Sequence, residues 1–343
     1  MPAQAGRALS ETYGAMAKNP QPSHAFAVAH GEAPAGHPLR GAVVAIGNFD
    51  GVHRGHQAVI ATARARAAAL GRPAAALTFE PHPRSFFRPQ VPLFRLTDER
   101  NKLRLLASTE LDGAIVLRFD AALAALSADD FVRLVLIERL AVSGVTIGFD
   151  FHFGANRSGS PDFLASAGAR YGFAVDVVPR FEDSGRRISS GPIRAALAEG
   201  HVADAAEMLG FPWFVSGEVV HGDKRGRELG YPTANLRLDP TCGLRHGIYA
   251  VRVDVGGHRH DGVASFGRRP MFDVGTVLLE VFLLDFSGDL YGQAIDVAFM
   301  EWIRPEMKFD TVDDLVRRMD EDSRIARAAL AKDPDAFPPL ERV

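Results

Sequence analysis

Between Phe26 and Gly210, short apolar runs alternate with stretches in which apolar residues recur every three or four positions. The runs 43–46, 74–79, 114–117, 145–147 and 174–178 read as buried strands. The stretches 55–70, 127–140 and 161–171 read as helices, the second opened by Ser127 with Asp130 in an Asp variant of the capping box and the third by Pro161. Strand and helix in alternation predict a parallel sheet covered by helices on both faces. Beyond Phe211 the pattern changes. Runs 215–221, 247–255, 260–266, 277–286 and 293–299 follow one another with turns and no helix-length stretch between them, which predicts an antiparallel barrel or sandwich. A final amphipathic helix is expected over 311–332, with Thr311 as N-cap and Leu315, Met319 and Ile325 on its inner face.

Two unlike halves with no internal repeat therefore predict two domains, 23–210 and 211–343, with the change of fold between Leu209 and Ser216. An Ala/Pro/Gln-rich flexible extension of residues 1–22 precedes them. The formal net charge of -3 supplies no basic field, so nucleic acid is not an expected partner. Cys242 is the single cysteine and cannot form an internal disulfide, which fits a cytoplasmic setting. No run of about 18 apolar residues calls for a membrane, and the N-terminus lacks a signal-peptide pattern. Self-association into a homo-oligomer stays open.

The stretch richest in chemistry is Gly47-Asn48-Phe49-Asp50-Gly51-Val52-His53-Arg54-Gly55-His56. It joins a predicted strand to a predicted helix. In a parallel sheet, a glycine-rich connection of that kind lies at the carboxyl end of the strands, and its free N–H groups and helix dipole favour an anion. His53 and His56 add side-chain donors, and Gly55 allows close approach of the backbone; a nucleoside triphosphate is the natural ligand. Downstream, Ser189 and Ser190 offer hydroxyls at a predicted helix start, and Arg194 offers a bidentate guanidinium. In the second half, Gly222, Gly226 and Gly230 with Lys224, Arg225 and Arg227 make a loop suited to phosphates. Pro232 then forces an extended segment in which Thr233 and Asn235 share a side, presenting oxygens to a hard cation such as Mg²⁺. Glu280 is the one carboxylate within the apolar run 278–284. It is either an outward strand residue or a buried group with a task.

Taken together, the motif at 47–57, Thr78-Phe79-Glu80-Pro81-His82-Pro83, Asp150-Phe151-His152-Phe153-Gly154, Ile188-Ser189-Ser190-Gly191-Pro192-Ile193-Arg194 and the segment from His221 to Asn235 resemble the prokaryotic bifunctional riboflavin kinase/FAD synthetase family over roughly residues 40–332. The resemblance implies a Rossmann-like α/β nucleotidyltransferase domain followed by an antiparallel β-barrel kinase domain with a C-terminal helix. It implies ATP as co-substrate and Mg²⁺ as cofactor, with riboflavin and FMN as the other substrates. Glu280 becomes the general base for riboflavin phosphorylation, with Thr233 and Asn235 as metal ligands. His53, His56 and Arg194 become the catalytic groups of FMN adenylylation. Gly47, Asn48, Phe49, Asp50, Gly55, Asp150, Ser189 and Ser190 would hold or orient nucleotide, as would Gly222, Lys224 and Arg227 in the kinase half; Asn48, Asp50 and Asp150 would serve nucleotide or metal. Gly230, Pro232, Arg304 and Phe309 would meet the flavin, although Arg304 also reads as a solvated turn cation. The chain departs from the family with Gly191 and Met271 for Thr, Ser265 for Asn, and Phe282 for the His that often follows the catalytic Glu. A single retained activity, or a flavin-binding regulator without catalysis, are the competing expectations.

Overall fold

The computed structural model describes residues 25–183, 185–221, 231–268 and 277–343. Its first body is a six-stranded, all-parallel sheet in the order β1-β4-β3-β2-β5-β6. The strands are β1 (Ala27–His30), β2 (Val43–Ile46), β3 (Ala74–Glu80), β4 (Gly113–Arg118), β5 (Gly144–Gly148) and β6 (Ala174–Val178). Between them run α1 (Arg54–Leu70), α2 (Pro83–Phe87), α3 (Glu99–Ala107), α4 (Ala121–Ala125), α5 (Ala128–Asp130, continued by a wider π turn over Phe131–Arg139) and α6 (Pro161–Tyr171). Strands β2 to β4 are almost unbroken apolar runs because helices cover both sides of the sheet. Ser127 closes the start of α5 as expected, its hydroxyl accepting the Asp130 N–H at 3.0 Å. A two-stranded ribbon, β7 (Glu182–Asp183) and β8 (Arg186–Arg187), precedes α7 (Ser190–Glu199) and α8 (Val202–Leu209).

The chain divides into two compact units. One holds the described residues through Ser190 with Pro339–Val343, and the other holds Gly191–Pro338, so α7 after its first residue and all of α8 belong with the second. That second unit is an antiparallel six-stranded barrel, ordered β10-β13-β12-β11-β14-β9. Its strands are β9 (Phe214–Glu218), β10 (Thr233–Leu238), β11 (Gly247–Val255), β12 (His258–Arg268), β13 (Val277–Leu283) and β14 (Ala294–Arg304). Val220, just past β9, bridges to Asn235 of β10 with an N–H to carbonyl bond of 2.8 Å, which brings the two edges together. Of the two architectures open to the sequence, barrel and sandwich, this is the barrel.

Helix α9 (Val312–Leu330) packs on β11, β12 and β14, and Thr311 caps it by accepting the Asp314 N–H at 3.1 Å. Its inner face differs from the expected one. Asp322, Ala326, Ala329 and Leu330 are its buried residues, whereas Leu315, Met319 and Ile325 are only half-buried. Electrostatics outranks apolar spacing here. Arg304, buried on β14, takes Asp322 inward through bonds of 2.5–3.0 Å. A second buried guanidinium fixes the far end of the helix. Arg252 on β11 is 3% exposed; it binds Asp261 at 3.0 Å and caps the carbonyls of Leu330, Asp333 and Ala336 at 2.8–3.1 Å.

Replacing Arg252 with Met keeps the aliphatic stem but leaves those carbonyls without a donor. Arg252→Met is expected to destabilise the barrel unit by about 2–4 kcal/mol, read from urea unfolding followed by barrel tryptophan fluorescence. A loss below about 0.5 kcal/mol would show that the cap is dispensable.

Candidate functional site

The first site grows from the junction of β2 and α1. Phe49 and Val52 hold left-handed backbone angles of φ 47° and 42°, rare for residues with a Cβ and rarer still for a β-branched one. Buried Asp50 holds the loop in that shape: its Oδ1 accepts the N–H groups of Leu96 at 2.8 Å and Thr97 at 3.2 Å. In return the Gly51 N–H donates to the Thr97 hydroxyl at 3.1 Å. A Cβ on Gly47 would stand 3.2 Å from the Phe49 ring, so glycine lets the ring tuck beneath the strand end.

His53 is the N-cap of α1, its Nδ1 accepting the backbone N–H of His56 at 3.2 Å. A ring nitrogen that accepts carries no proton, so the neutral His53 ring presents its N–H at Nε2. The His56 ring stacks on it, with centroids 3.6 Å apart and planes 15° off parallel. Burial, then the neighbouring His53 and Lys102, hold His56 well below its ordinary pKa, so it is neutral at physiological pH. Its Nδ1 is buried without a hydrogen-bond partner. The first turn of α1 carries no acidic residue, leaving the positive end of the helix uncompensated by the protein. A proton-bearing Nε2, a neighbouring ring with an unpartnered nitrogen and a helix N-terminus with no acidic residue in its first turn suit an anion.

These groups open onto a cavity of about 780 Å³. It brings together Gly47, Asn48, Phe49, His53, Gly55, His56, Asp150, Ser189 and Ser190, all named from the sequence. Asp50 stands behind the loop, 2% exposed, and orients the backbone in this structure. The Ser190 hydroxyl donates to the Asp50 carbonyl at 3.1 Å, tying the start of α7 to the same loop. Asp150 is exposed, 3.8 Å from the Arg187 guanidinium. Arg194 is half-buried on α7, within the other compact unit. At Gly191 a Cβ would meet nothing within 4 Å, so crowding does not explain the missing threonine. His82 caps α2, its Nδ1 accepting the Arg84 N–H at 3.1 Å, which makes it a structural turn residue.

Sequence reasoning missed two features of this site. One is its aromatic wall: Phe87, Phe119, Phe149 and Phe181 line the cavity, and Phe87 is 63% exposed, an arrangement suited to a flat ring system. Scattered phenylalanines carry no spacing signal. The other is a buried charge cluster beneath the loop, Glu80 with Arg95 and Lys102. Burial alone would push the Glu80 carboxyl up; Lys102 and then Arg95 outweigh it and hold it below the usual range. Burial pulls Lys102 down against the attraction of Glu80. In sequence, Lys102 reads as an ordinary helix lysine.

The second site lies on the barrel. Asn235 of β10 pairs directly with Glu280 of β13, and Ser265 of β12 pairs with Glu280 from the other side. Thr233 pairs with Phe282, two residues on, so Thr233, Asn235 and Glu280 share one face of the sheet. Burial along β13 alternates, and Glu280 lies on its half-buried face, neither sealed in the core nor fully solvated. Phe282 packs against Tyr231 with ring centroids 4.9 Å apart, so the departure from histidine is filled by aromatic contact. The Tyr231 hydroxyl donates to Asp320 of α9; burial, then that carboxylate, push the phenol up to about 12. Pro232 is exposed just before β10. Arg304 is not a solvated turn cation. Its guanidinium is committed to Asp322 and to the Pro305 carbonyl at 2.9 Å, and it lies 5.9 Å from the Phe309 ring, so it orients α9 and Phe309. Gly222, Lys224, Arg227, Gly230 and Met271 lie outside the described residues.

Oxygens from Thr233 and Asn235 beside one carboxylate fit a hard cation that arrives with phosphate oxygens of its own. Among the described residues, no group of three His, Cys, Asp or Glu side chains forms a cage for a resident metal. Nor is any helix among them long and apolar enough to cross a membrane.

Two family models match the chain in order: FAD synthetase over residues 36–192 and riboflavin kinase over residues 209–330. The bifunctional riboflavin kinase/FMN adenylyltransferase of Pseudomonas fluorescens is 42% identical over 293 residues, which is 85% of this chain and 94% of that protein. The enzyme of the same name from Escherichia coli strain K12 is 41% identical, covering 84% and 93%. A crystal structure from Streptococcus pneumoniae, named a macrolide-efflux protein, superposes with a TM-score of 0.76 at 33% identity over 84% of this chain and 94% of that one. The matched segments carry the histidine-lined cavity in one unit and the Asn235–Glu280 pair in the other, and the chain belongs to the bifunctional riboflavin kinase/FMN adenylyltransferase family.

Proposed function

We propose that this chain makes FAD from riboflavin in two ATP-consuming steps, the barrel unit forming FMN and the parallel-sheet unit adenylylating it. The observation that carries the reading is that each matched segment holds a constellation of its own suited to one of the two transfers. In the barrel, Glu280 takes the proton of the riboflavin 5′-hydroxyl as that oxygen attacks the γ-phosphorus of ATP, and ADP leaves. Its half-buried position supports this role, because a base must be reachable by substrate. Thr233 and Asn235 would hold Mg²⁺ carried in by ATP, and the cation would offset charge on the phosphates. Gly222, Lys224 and Arg227 would cradle those phosphates, and Gly230, Pro232 and Phe309 would border the flavin, with Arg304 supporting Phe309.

In the parallel-sheet unit an FMN phosphate oxygen attacks the α-phosphorus of ATP, and pyrophosphate leaves. The His53 Nε2–H, the His56 ring and the N-terminus of α1 offset the charge that builds on the phosphoryl oxygens, with Arg194 as a further cation. Ser189, Ser190 and Asp150 border the nucleotide, and the aromatic wall receives the isoalloxazine or adenine ring. A cytoplasmic setting without nucleic-acid or membrane partners belongs to the same reading, supported by the lone Cys242 and the net charge of -3.

Chromatography of a reaction started with riboflavin, ATP and Mg²⁺, beside one started from FMN, tests the whole reading. FMN should appear first and then give way to FAD. Absence of FMN in the first run, with FAD formed in the second, would remove the kinase half of the proposal. Glu280→Gln is expected to slow FMN formation by about 10²–10⁴-fold while FAD still forms from supplied FMN. The double variant His53→Ala with His56→Ala should do the reverse, cutting FAD formation by about 10²–10³-fold as FMN accumulates. Either variant losing both activities while folded would refute the assignment to two sites.

The depressed His56 pKa gives a signed stability prediction. Below pH about 6.5 the unfolded chain takes up a proton on this ring, whereas the folded chain does not until far lower pH. Stability therefore falls as pH drops through that window. The thermal midpoint of the wild type should drop more between pH 7.5 and 5.5 than that of His56→Gln, measured by calorimetry; parallel curves would place the His56 pKa near its ordinary value.

A further inference from the structure

Lys102 is 1% exposed, yet it is a cation on a short surface helix and is given no part in either transfer. Its ammonium donates to Glu80 Oε1 at 2.6 Å and to the Thr78 hydroxyl at 3.4 Å. The Thr78 hydroxyl, fully buried, donates in turn to the Asn48 carbonyl at 3.2 Å. Arg95 grips both oxygens of the same carboxylate, donating to Glu80 Oε2 at 2.9 Å and to Oε1 at 2.6 Å. Leu96 and Thr97, the next two residues, are those whose N–H groups hold Asp50. The segment from Arg95 to Lys102 thus meets the nucleotide loop at three points: the Asp50 carboxylate, the Gly51 N–H through the Thr97 hydroxyl and, through Thr78, the Asn48 carbonyl. Asp98 anchors the segment by capping α3 through the Asn101 N–H at 2.7 Å.

A buried ion pair is weak support for stability, because desolvation cancels most of the attraction. A loop with two non-glycine residues in left-handed geometry needs to be over-determined by its surroundings. The two observations answer each other. We infer that Lys102 is a positioning residue of the adenylyl-transfer site, holding loop 47–52 in its left-handed shape through the relay Lys102–Thr78–Asn48, with Glu80 and Arg95 fixing the ammonium in place. The inference rests on the assignment of this cavity to FMN adenylylation. Lys102 touches no substrate. It acts by setting where the loop N–H groups and the stacked histidines stand, and its charge is among those that keep His56 neutral.

The relay is tested by Lys102→Met, Thr78→Val and their combination in the full-length protein. For Lys102→Met, kcat for FAD formation from FMN is expected to fall about ten-fold, since small misplacements of reacting groups weigh heavily on rate, with the FMN KM within two-fold of wild type. Thr78→Val removes the hydroxyl without touching a charge and should fall in the same direction. The combined variant should be no slower than Lys102→Met alone, because both changes break one path. Riboflavin phosphorylation should be unchanged in all three. Amide exchange of residues 47–52, followed by mass spectrometry, should quicken in each. Wild-type kcat and exchange in Thr78→Val, or rate losses that multiply in the combined variant, would overturn the relay. Thr78→Val decides the matter if Lys102→Met fails to fold. If the wild type itself makes no FAD, the assignment of function falls, and the exchange measurement still decides whether Lys102 positions the loop.

Discussion

The 3.2 Å bond from the His56 backbone N–H to His53 Nδ1 fixes more of the chemistry than any other contact in the parallel-sheet unit. It starts α1, because an N-cap must accept one of the helix's orphan donors. It also settles the tautomer of His53, because a nitrogen that accepts from the backbone leaves the ring proton on the other side. And it accompanies a stack of the two rings at 3.6 Å, in which burial and then the neighbouring His53 hold His56 neutral. Serine or aspartate caps most helices as well or better. An aspartate here would place a negative charge at the cavity proposed to receive the phosphates.

The barrel reaches a comparable arrangement by register. Strand pairing places Asn235 opposite Glu280 and Thr233 opposite Phe282, and a one-residue slip would send all of these side chains to the other face. Register is pinned by the core face of β13, where Val277, Leu279, Val281 and Leu283 are buried in strict alternation with the site residues. The buried apolar half of the strand therefore positions the half-buried side that carries Glu280. Arg304 and Arg252 then fasten α9 against the barrel at its middle, through Asp322, and at its C-terminal end, through the Leu330 carbonyl. Phe309 is held near the Arg304 guanidinium by the same contact.

Much of this was legible in the chain. Strand β6 and helix α6 fall where periodicity puts them, and Ser127 and Thr311 cap the helices assigned to them. Each of those signals is local: an apolar period, a capping side chain, a proline at a helix start. What was not legible depends on residues distant in sequence. The buried face of α9 turns on a pair 18 residues apart, Arg304 with Asp322, which overrides the apolar stripe. Strand β10 escaped the strand count because Thr233 and Asn235 draw attention as chemistry while Arg237 interrupts the apolar run. Lys102 gave no signal, since nothing in Glu99-Arg100-Asn101-Lys102 separates an ammonium bound for Glu80 from one bound for water. The aromatic wall is likewise assembled from four separate segments of chain.

The two sites differ in their charged groups, and the nucleophiles of the proposed reactions account for the difference. The riboflavin hydroxyl is a neutral alcohol that must lose a proton as it attacks, so its site requires a base, and the Glu280 carboxylate stands on the half-buried side of β13. The FMN phosphate has a second pKa of about 6 and is already anionic at neutral pH. Its oxygen needs no base; it needs to be brought up to a second anion. A carboxylate at that point would oppose the reaction, whereas neutral imidazoles can donate hydrogen bonds to phosphate without becoming the proton acceptor. The acidic groups near the loop are accordingly occupied elsewhere: Asp50 by two backbone N–H groups, and Glu80 by Lys102 and Arg95. The exposed Asp150 at the cavity edge faces the Arg187 guanidinium. The salt bridge beneath the loop thus bears on electrostatics as well as geometry, because it keeps the Glu80 carboxylate paired behind the cavity proposed to receive the phosphates.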